Sequence, residues 1–184
     1  LGCGGHAATV IDIIEASNQY KILGLISPID ESIKELNGYN IIGTDNDLPS
    51  IRKKCENIFI SIGKIGKSNK RECIDRQLID LDFNFPNIIS PFSIISNYSD
   101  IGDGNYIGHH VIINSRAKIG NQCIFNSRAL IEHDVVIGDH THISTGAIIN
   151  GGVTIGKGSF IGSGCIIREG VSLPANTVIS AGKR

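Results

Sequence analysis

The sequence predicts a small parallel α/β unit followed by a parallel β-helix of six-residue repeats. From residue 89 to residue 179, every sixth position holds Ile, Leu or Phe, in all sixteen cases. This period fits neither the alternation of an ordinary strand nor the 3.6-residue turn of a helix, and it is typical of a parallel β-helix. Residues 1–85 lack the period and alternate short apolar runs with helix-like segments, which favours an α/β unit.

The six-residue repeat has further regular positions. The residue two places before each large apolar residue is mostly small. Gly often comes directly after the large apolar residue, where a corner needs close approach of the backbone. We therefore expect the repeated apolar residues to stack inside the β-helix. They are Ile89, Ile95, Ile101, Ile107, Ile113, Ile119, Phe125, Ile131, Ile137, Ile143, Ile149, Ile155, Ile161, Ile167, Leu173 and Ile179.

Residues 1–85 are predicted to form alternating strands and helices. The segment "LGCGGHAATVIDIIEASNQ" predicts a Gly-rich turn and then a helix with Val10, Ile13 and Ile14 on one face. "KILGLIS" and "NIFISIG" are predicted to be buried strands. "LPSIRKKC" and "KSNKRECIDRQLIDL" are predicted helices, the second with a Ser/Asn cap. This alternation predicts a parallel sheet, and residues 86–92 join it to the repeats.

Composition and charge argue against several classes of function. The net charge is −1, which gives no electrostatic reason to expect nucleic acid or an acidic membrane as a partner. The five cysteines form no CxxC pair, which predicts reduced thiols in the cytoplasm and no zinc knuckle. No run of 18 apolar residues predicts a membrane span. The chain contains no Met, and we expect the natural protein to begin before Leu1.

Two Gly-rich turns follow predicted strands in the first half. "GCGGH" at residues 2–6 lacks the full dinucleotide fingerprint, so an NAD site is not expected. One interpretation is a tight turn without a ligand. The other is a phosphate or sugar held by backbone amides at the start of a helix, with "SIGKIG" at residues 61–66 at the same edge of the sheet. The second interpretation predicts substrate binding by Gly2, Gly4, Gly5, His6, Gly63 and Lys64.

The repeat motifs "IGDGNY", "IGNQCI", "IGDHTH", "IGKGSF" and "IGSGCI" resemble those of the left-handed β-helix acyltransferases. The resemblance covers residues 89–180. It implies that three repeats form one triangular coil, so that residues 18 apart stack on each other. The fold class expected for the whole chain is a small Rossmann-like parallel α/β domain followed by a left-handed parallel β-helix.

"GCGGHA", the "SIGK" strand end and "IEHD" at residues 131–134 together resemble the bacterial nucleotide-sugar acetyltransferases of the NeuD/PglD type. The resemblance implies that residues 1–85 bind a nucleotide-activated amino sugar and residues 86–184 bind acetyl-CoA, without a metal. It also implies a homotrimer with sites between subunits. The chain departs from that family after its second strand, where Ser27-Pro28 replaces acidic residues and Asp30 and Glu31 come only later.

The same resemblance assigns roles to several residues of the repeats. The family's general base falls on His133, and its neighbouring acidic position falls on Asp134. A base for deprotonating an attacking amine needs a pKa near 7, which His supplies, and an adjoining carboxylate can fix its tautomer. Acetyl-CoA binding is expected of Asn126, His142, Gly151 and Gly164. The other histidines of the repeats, His109, His110 and His140, are expected on the surface.

The stacking rule separates the two principal histidines. His133 and His142 are nine residues apart, half of an 18-residue coil, so we expect them on opposite sides of the triangle. We expect Asn126, 16 residues before His142, to be its near neighbour, and Ser115 and Gly151 to stack with His133. One site that used both histidines would therefore combine two subunits.

Four functions are compatible with this scaffold. The leading one is direct N-acetylation of a 4-amino nucleotide sugar, and O-acetylation of a sialic-type sugar is second. A non-catalytic trimer that binds a sugar nucleotide is third. A zinc carbonic anhydrase is the fourth, but its H-x4-H ligand pair is absent, because His133 and His142 form H-x8-H. Cys123 and Cys165 occupy inward positions, which disfavours an acyl-enzyme on a thiol.

Overall fold

The computed structural model describes residues 1–27, 34–63 and 70–183. Within them the chain separates into two compact units, which meet in sequence between Pro86 and Asn87. The first unit contains the helices and a small sheet, and the second contains the repeats. No helix in the described residues is long and apolar enough to cross a membrane.

The first unit is a short α/β arrangement. Strand β1 pairs in parallel with β3, and β3 pairs antiparallel with β2 in a hairpin closed by Asn37 and Gly38, both at positive φ. This hairpin was not predicted from the sequence. The elements in chain order are helix α1 (Gly5–Ser17), β1 (Leu25–Ile26), β2 (Glu35–Leu36), β3 (Tyr39–Gly43), a 3₁₀ turn (Asp45–Asp47), α2 (Leu48–Arg52) and α3 (Lys70–Asp80).

Two predicted elements of this unit differ in detail. The expected strand "NIFISIG" is not a regular strand: Asn57 forms an isolated parallel bridge with Asn84, and the N–H groups of Ile58 and Ser61 donate to the carbonyls of Asn84 and Leu1. Ile58 and Ile60 are nevertheless buried there as predicted. On α1, Ile11 is buried whereas Ile14 is only half-buried. The expected Ser/Asn cap of α3 lies outside the described residues.

The second unit is a left-handed parallel β-helix with three flat faces. Face I contains β4, β7, β10, β13, β16 and β19; face II contains β5, β8, β11, β14 and β17; face III contains β6, β9, β12, β15 and β18. The strands are β4 (Ile88–Ile89), β5 (Ile94–Ile95), β6 (Asp100–Ile101), β7 (Tyr106–Ile107), β8 (Ile112–Ile113), β9 (Lys118–Ile119), β10 (Ile124–Phe125), β11 (Leu130–Ile131), β12 (Val136–Ile137), β13 (His142–Ile143), β14 (Ile148–Ile149), β15 (Thr154–Ile155), β16 (Phe160–Ile161), β17 (Ile166–Ile167), β18 (Ser172–Leu173) and β19 (Val178–Ile179).

The register of the β-helix follows the predicted 18-residue stack. Ile131, for example, pairs with Ile113 on one side and Ile149 on the other. The second residue of each strand belongs to the predicted apolar column, and these side chains form one continuous core. Small residues two places earlier, such as Ala117 and Ala147, are fully buried beside them. The predicted repeat and its register are confirmed.

The outward residues differ sharply between faces II and III. On face II all five are branched aliphatic residues, and Ile94, at one end of the row, is 64% exposed. On face III they are mostly polar and all five are exposed. The face II row is Ile94, Ile112, Leu130, Ile148 and Ile166, and the face III row is Asp100, Lys118, Val136, Thr154 and Ser172. An apolar row that is partly exposed, as on face II, is typical of a surface that another chain covers.

The inward column gives a direct stability test. Ile155 is 1% exposed, so Ile155→Asp places a carboxylate in an aliphatic core, where it should cost more than about 4 kcal/mol and unfold the β-helix. Its neighbour Thr154 points outward on face III, and Thr154→Asp should change the free energy of unfolding by less than about 0.5 kcal/mol. Chemical denaturation measures both. A folded Ile155→Asp variant as stable as Thr154→Asp would contradict the register.

Candidate active site

His133 lies at the corner between faces II and III, in the turn from β11 to β12. Its Nδ1 is 2.8 Å from Oδ2 of Asp134, and a carboxylate can only accept, so Nδ1 carries the proton. Nε2 is then the basic nitrogen of the neutral ring. The His133 side chain is 54% exposed, so the ring is open to reactants at this corner. This arrangement suits a proton acceptor.

Asp134 receives a second partner from the previous coil. Arg116 binds it in a bidentate manner, with Nε 2.6 Å from Oδ1 and Nη2 2.8 Å from Oδ2. Hydrogen bonds from Arg116 and then from His133 hold the pKa of Asp134 well below its usual range. The carboxylate is therefore ionised near neutral pH and can accept the Nδ1 proton of His133.

Gly151 stacks on His133, as the 18-residue spacing predicts. A Cβ built on Gly151 would lie 2.7 Å from Cε1 and 2.8 Å from Nε2 of the imidazole. The Gly152 N–H donates to the His133 carbonyl at 3.0 Å, so the two coils are held at this spacing. A side chain at position 151 would push the ring from its place. Within the chain, Gly151 therefore lies directly against the imidazole of His133.

His142 and Asn126 form a second polar pair. His142 is the outward residue of β13 on face I, is only 7% exposed, and packs edge-on against the ring of Phe160. Asn126 Nδ2 is 2.9 Å from His142 Nε2. An amide nitrogen only donates, so Nε2 accepts and Nδ1 of the neutral ring carries the proton. The predicted proximity of Asn126 and His142 is confirmed.

The two histidines lie on different parts of the triangular coil. His142 is on face I, while His133 is at the corner between faces II and III, which is the corner opposite face I. Gly164 lies at the corner between faces I and II, at φ +65, with open space where a Cβ would be. The candidate residues of the β-helix therefore form two groups. One is His133, Asp134 and Gly151, and the other is Asn126 and His142.

The candidate substrate residues of the first unit gather at the start of α1. Gly2, at φ +118, lets the first loop approach the chain at Ser61 and Ile62, because a Cβ there would lie 2.9 Å from Ile62 Cγ1. A Cβ on Gly63 would be 3.9 Å from the Cβ of His6, so the two loops are neighbours. Lys64 and the acidic Asp30 and Glu31 lie outside the described residues.

The start of α1 is suited to an anion. Gly4 is its N-cap residue, no side chain caps the helix, and the first turn has no acidic residue. Gly4 and Gly5 are exposed, and a Cβ on either would meet nothing within 4 Å. Open amides at a helix N-terminus favour phosphate.

The remaining histidines of the β-helix have other surroundings. His109 Nδ1 is 2.7 Å from the hydroxyl of buried Ser90, and the ring lies near Phe92. His110 and His140 occupy corner positions with positive φ. In the described part of the chain, no group of three His, Cys, Asp or Glu side chains could hold a metal ion.

Family models match both halves of the chain. Residues 1–76 match the PglD N-terminal domain, and residues 116–151 and 134–169 match the bacterial transferase hexapeptide repeats. The resemblance to NeuD/PglD-type nucleotide-sugar acetyltransferases is confirmed. No curated protein sequence matches the chain.

Three solved structures are similar to almost the whole chain. A histidine-to-asparagine variant of perosamine N-acetyltransferase from Caulobacter crescentus, in complex with CoA and GDP-perosamine, is 28% identical with a TM-score of 0.91, over 98% of this chain and 84% of that one. The acetyltransferase domain of PglB from Neisseria gonorrhoeae, with acetyl coenzyme A, is 26% identical with a TM-score of 0.87, over 98% and 86%. WeeI from Acinetobacter baumannii, 20% identical with a TM-score of 0.67 over 97% and 93%, shares the fold.

Arg116 was not among the site residues predicted from the sequence. The signal was present, because Arg116 precedes Asp134 by 18 residues and carries the opposite charge. The same spacing joins Asn114 to Glu132, whose side chains hydrogen bond at 2.9 Å. Polar corner residues that are 18 apart in the sequence can therefore form side-chain pairs.

Substitution of Gly151 tests its contact with the imidazole. Gly151→Ala should displace the exposed His133 ring rather than the backbone, because the clash is with the end of a side chain. A shift of about 1 Å in a reacting group should lower kcat roughly 10- to 100-fold, while the melting temperature stays near wild type. Steady-state kinetics and thermal unfolding measure both. Unchanged kcat with a raised KM for acetyl-CoA would contradict this account and place position 151 against the cosubstrate.

Proposed function

We propose that the chain is an acetyl-CoA-dependent N-acetyltransferase that acts on a nucleotide-activated 4-amino-deoxy sugar. In this proposal residues 1–85 bind the sugar nucleotide and residues 86–184 bind acetyl-CoA. His133 is the general base, and the acetyl group passes directly from one substrate to the other. The observation that carries the proposal is the bond from His133 Nδ1 to Asp134, which leaves Nε2 as a basic nitrogen at an exposed corner.

The proposed reaction needs one base and one polar group at the carbonyl. The sugar amine attacks the thioester carbonyl, so a C–N bond forms while Nε2 of His133 takes a proton from the amine. When the tetrahedral intermediate collapses, the C–S bond breaks and the thiolate of CoA leaves, taking up the proton that His133 accepted from the amine. His142, whose ring is held by Asn126, is the polar group we assign to the acetyl oxygen.

The similar enzymes support this choice of substrates. One is an N-acetyltransferase in complex with CoA and GDP-perosamine, and another is an acetyltransferase domain with acetyl coenzyme A. Both are similar over nearly all of this chain, so the comparison includes both units. They favour acetyl-CoA as donor and an amino sugar nucleotide as acceptor. They also favour N-acetylation over the alternative, O-acetylation of a sialic-type sugar.

The first unit offers a binding place for the nucleotide sugar. Gly4 and Gly5 open the N-terminus of α1 to a phosphate, and Gly63 brings the second loop beside His6. We assign the phosphates to the α1 amides and the sugar to the His6 side of the loops. Both UDP- and GDP-linked amino sugars belong in an acceptor screen, because no described contact selects the base.

A homotrimer completes the proposal. The aliphatic row on face II has no polar member, whereas face III, which has the same strand geometry, is mostly polar. A second copy of the chain would bury the row on face II and bring new residues to the adjoining corner at His133. The five cysteines are free thiols, and the cytoplasm, which keeps thiols reduced, stays the predicted location.

The competing function is a trimer that binds the sugar nucleotide without chemistry. Nothing would then require the Nδ1-protonated tautomer of His133. Turnover separates the two functions, because release of CoA thiol with an amino sugar nucleotide present occurs only in the enzyme. A panel of UDP- and GDP-linked amino sugars and free sialic-type sugars also separates N- from O-transfer.

Replacement of the base is the sharpest test of the catalytic proposal. His133→Ala should lower kcat by about 10²- to 10⁴-fold, the usual effect of losing a general base, with little change in affinity for acetyl-CoA. Asp134→Asn should cause a smaller loss, because the base remains but its tautomer is no longer fixed. Thiol release gives kcat, and calorimetry gives the affinity. Turnover of His133→Ala close to wild type would end the assignment.

A further inference from the structure

We propose that Arg116 is a positioning residue for His133 and acts through the carboxylate of Asp134. This inference rests on the proposed function, because it assigns a role relative to the base. Arg116 touches neither substrate in the proposal. Its guanidinium fixes the Asp134 side chain, which in turn orients the imidazole.

Backbone geometry places Arg116 under Asp134. Both residues occupy the left-handed position of the same corner, at φ +60 and +61, in consecutive coils. The Arg116 N–H donates to the Tyr98 carbonyl and the Asp134 N–H donates to the Ser115 carbonyl, both at 3.1 Å. Each side chain therefore leaves its coil at the same place and in a similar direction. The ion pair between them joins two fixed points of the fold.

The guanidinium controls how the carboxylate can turn. Arg116 donates to both carboxylate oxygens, and a bidentate pair of this kind fixes the plane of the group. Oδ2, which accepts from Arg116 Nη2, also accepts from His133 Nδ1 at 2.8 Å. Without Arg116, an Asp134 side chain that is 43% exposed could rotate into water and release the ring. The clamp therefore favours one ring orientation and one tautomer.

The location of this ion pair argues against a mainly structural role. The Arg116 side chain is 65% exposed, and exposed ion pairs contribute little to the stability of a fold. The core of the β-helix is aliphatic and does not include Arg116. Loss of the guanidinium should therefore act on the orientation of His133 far more than on folding. This difference makes positioning separable from stability.

The experiment is a double-mutant cycle between Arg116 and Asp134. Arg116→Met keeps the stem and removes the clamp, and should lower kcat roughly 10-fold with the KM for acetyl-CoA unchanged. Arg116→Lys keeps the charge and one donor, and should recover part of the loss. In the Asp134→Asn background, Arg116→Met should cause almost no further loss, because the two residues act in series. Lys118→Met, which removes a neighbouring charge from face III, is the matched control and should resemble wild type.

The possible results distinguish the positioning role of Arg116, a structural role of Arg116 and the proposed function. Full activity of Arg116→Met, or a kcat loss that is equal in the wild-type and Asp134→Asn backgrounds, would overturn the role of Arg116. A melting temperature well below that of Lys118→Met, with kcat restored at low temperature, would overturn it in favour of a structural role. If His133→Ala itself stays active, the proposed function fails, whatever Arg116→Met does. A slow Arg116→Met with an inactive His133→Ala supports both.

Discussion

The pairing of each strand with the strand 18 residues later is the constraint on which the candidate active site depends. Backbone hydrogen bonds hold Ile113, Ile131 and Ile149 in one stack, and the aliphatic core allows only this register, since a slip of one residue would turn the core residues outward. Exposed corner residues, such as Arg116 and Asp134, do not pack in this core. They are free to vary in chemistry while their positions stay fixed.

The fixed corners explain how a functional group is assembled from distant parts of the sequence. Residues 18 apart become neighbours, which brings Arg116 to Asp134 and Gly151 to His133. A spacing of 16 brings Asn126 to His142. The same geometry separates His133 from His142, because half a coil lies between them. A rigid scaffold of this kind can orient a base before the substrate binds. It therefore favours catalysis more than a mobile loop does.

The sequence predicted the β-helix well because its period reports burial directly. Each inward Ile is required by the core, so the pattern contains the register and even the stacking of Gly151 on His133. The first unit was harder to predict. The hairpin from Glu35 to Gly43 was missed although its turn, Asn37-Gly38, is a strong hairpin signal, because no clean alternation of apolar residues accompanies it. "NIFISIG" was correctly predicted to be buried but not to lack regular pairing.

The roles of the site residues could not come from the repeat pattern. His133 and Asp134 are exposed corner residues, and exposure does not distinguish them from His110, which is also an exposed corner residue. The family resemblance singled them out, and the bond between them is a reason to assign a base. Arg116 was missed because a surface cation in isolation is unremarkable. Its significance needs the side-chain geometry, in which both guanidinium contacts converge on one carboxylate.

We propose that His133 of one subunit and His142 of the next act on the same acetyl group. Mixing His133→Ala with His142→Ala protein under conditions that exchange subunits is the test. Each parent should be nearly inactive, whereas with equal amounts and random exchange about a quarter of the sites should hold both wild-type histidines and recover activity. A site confined to one chain cannot be rebuilt in this way, because every chain carries one lesion. Activity that stays at background, with exchange verified by mass spectrometry, would contradict the account.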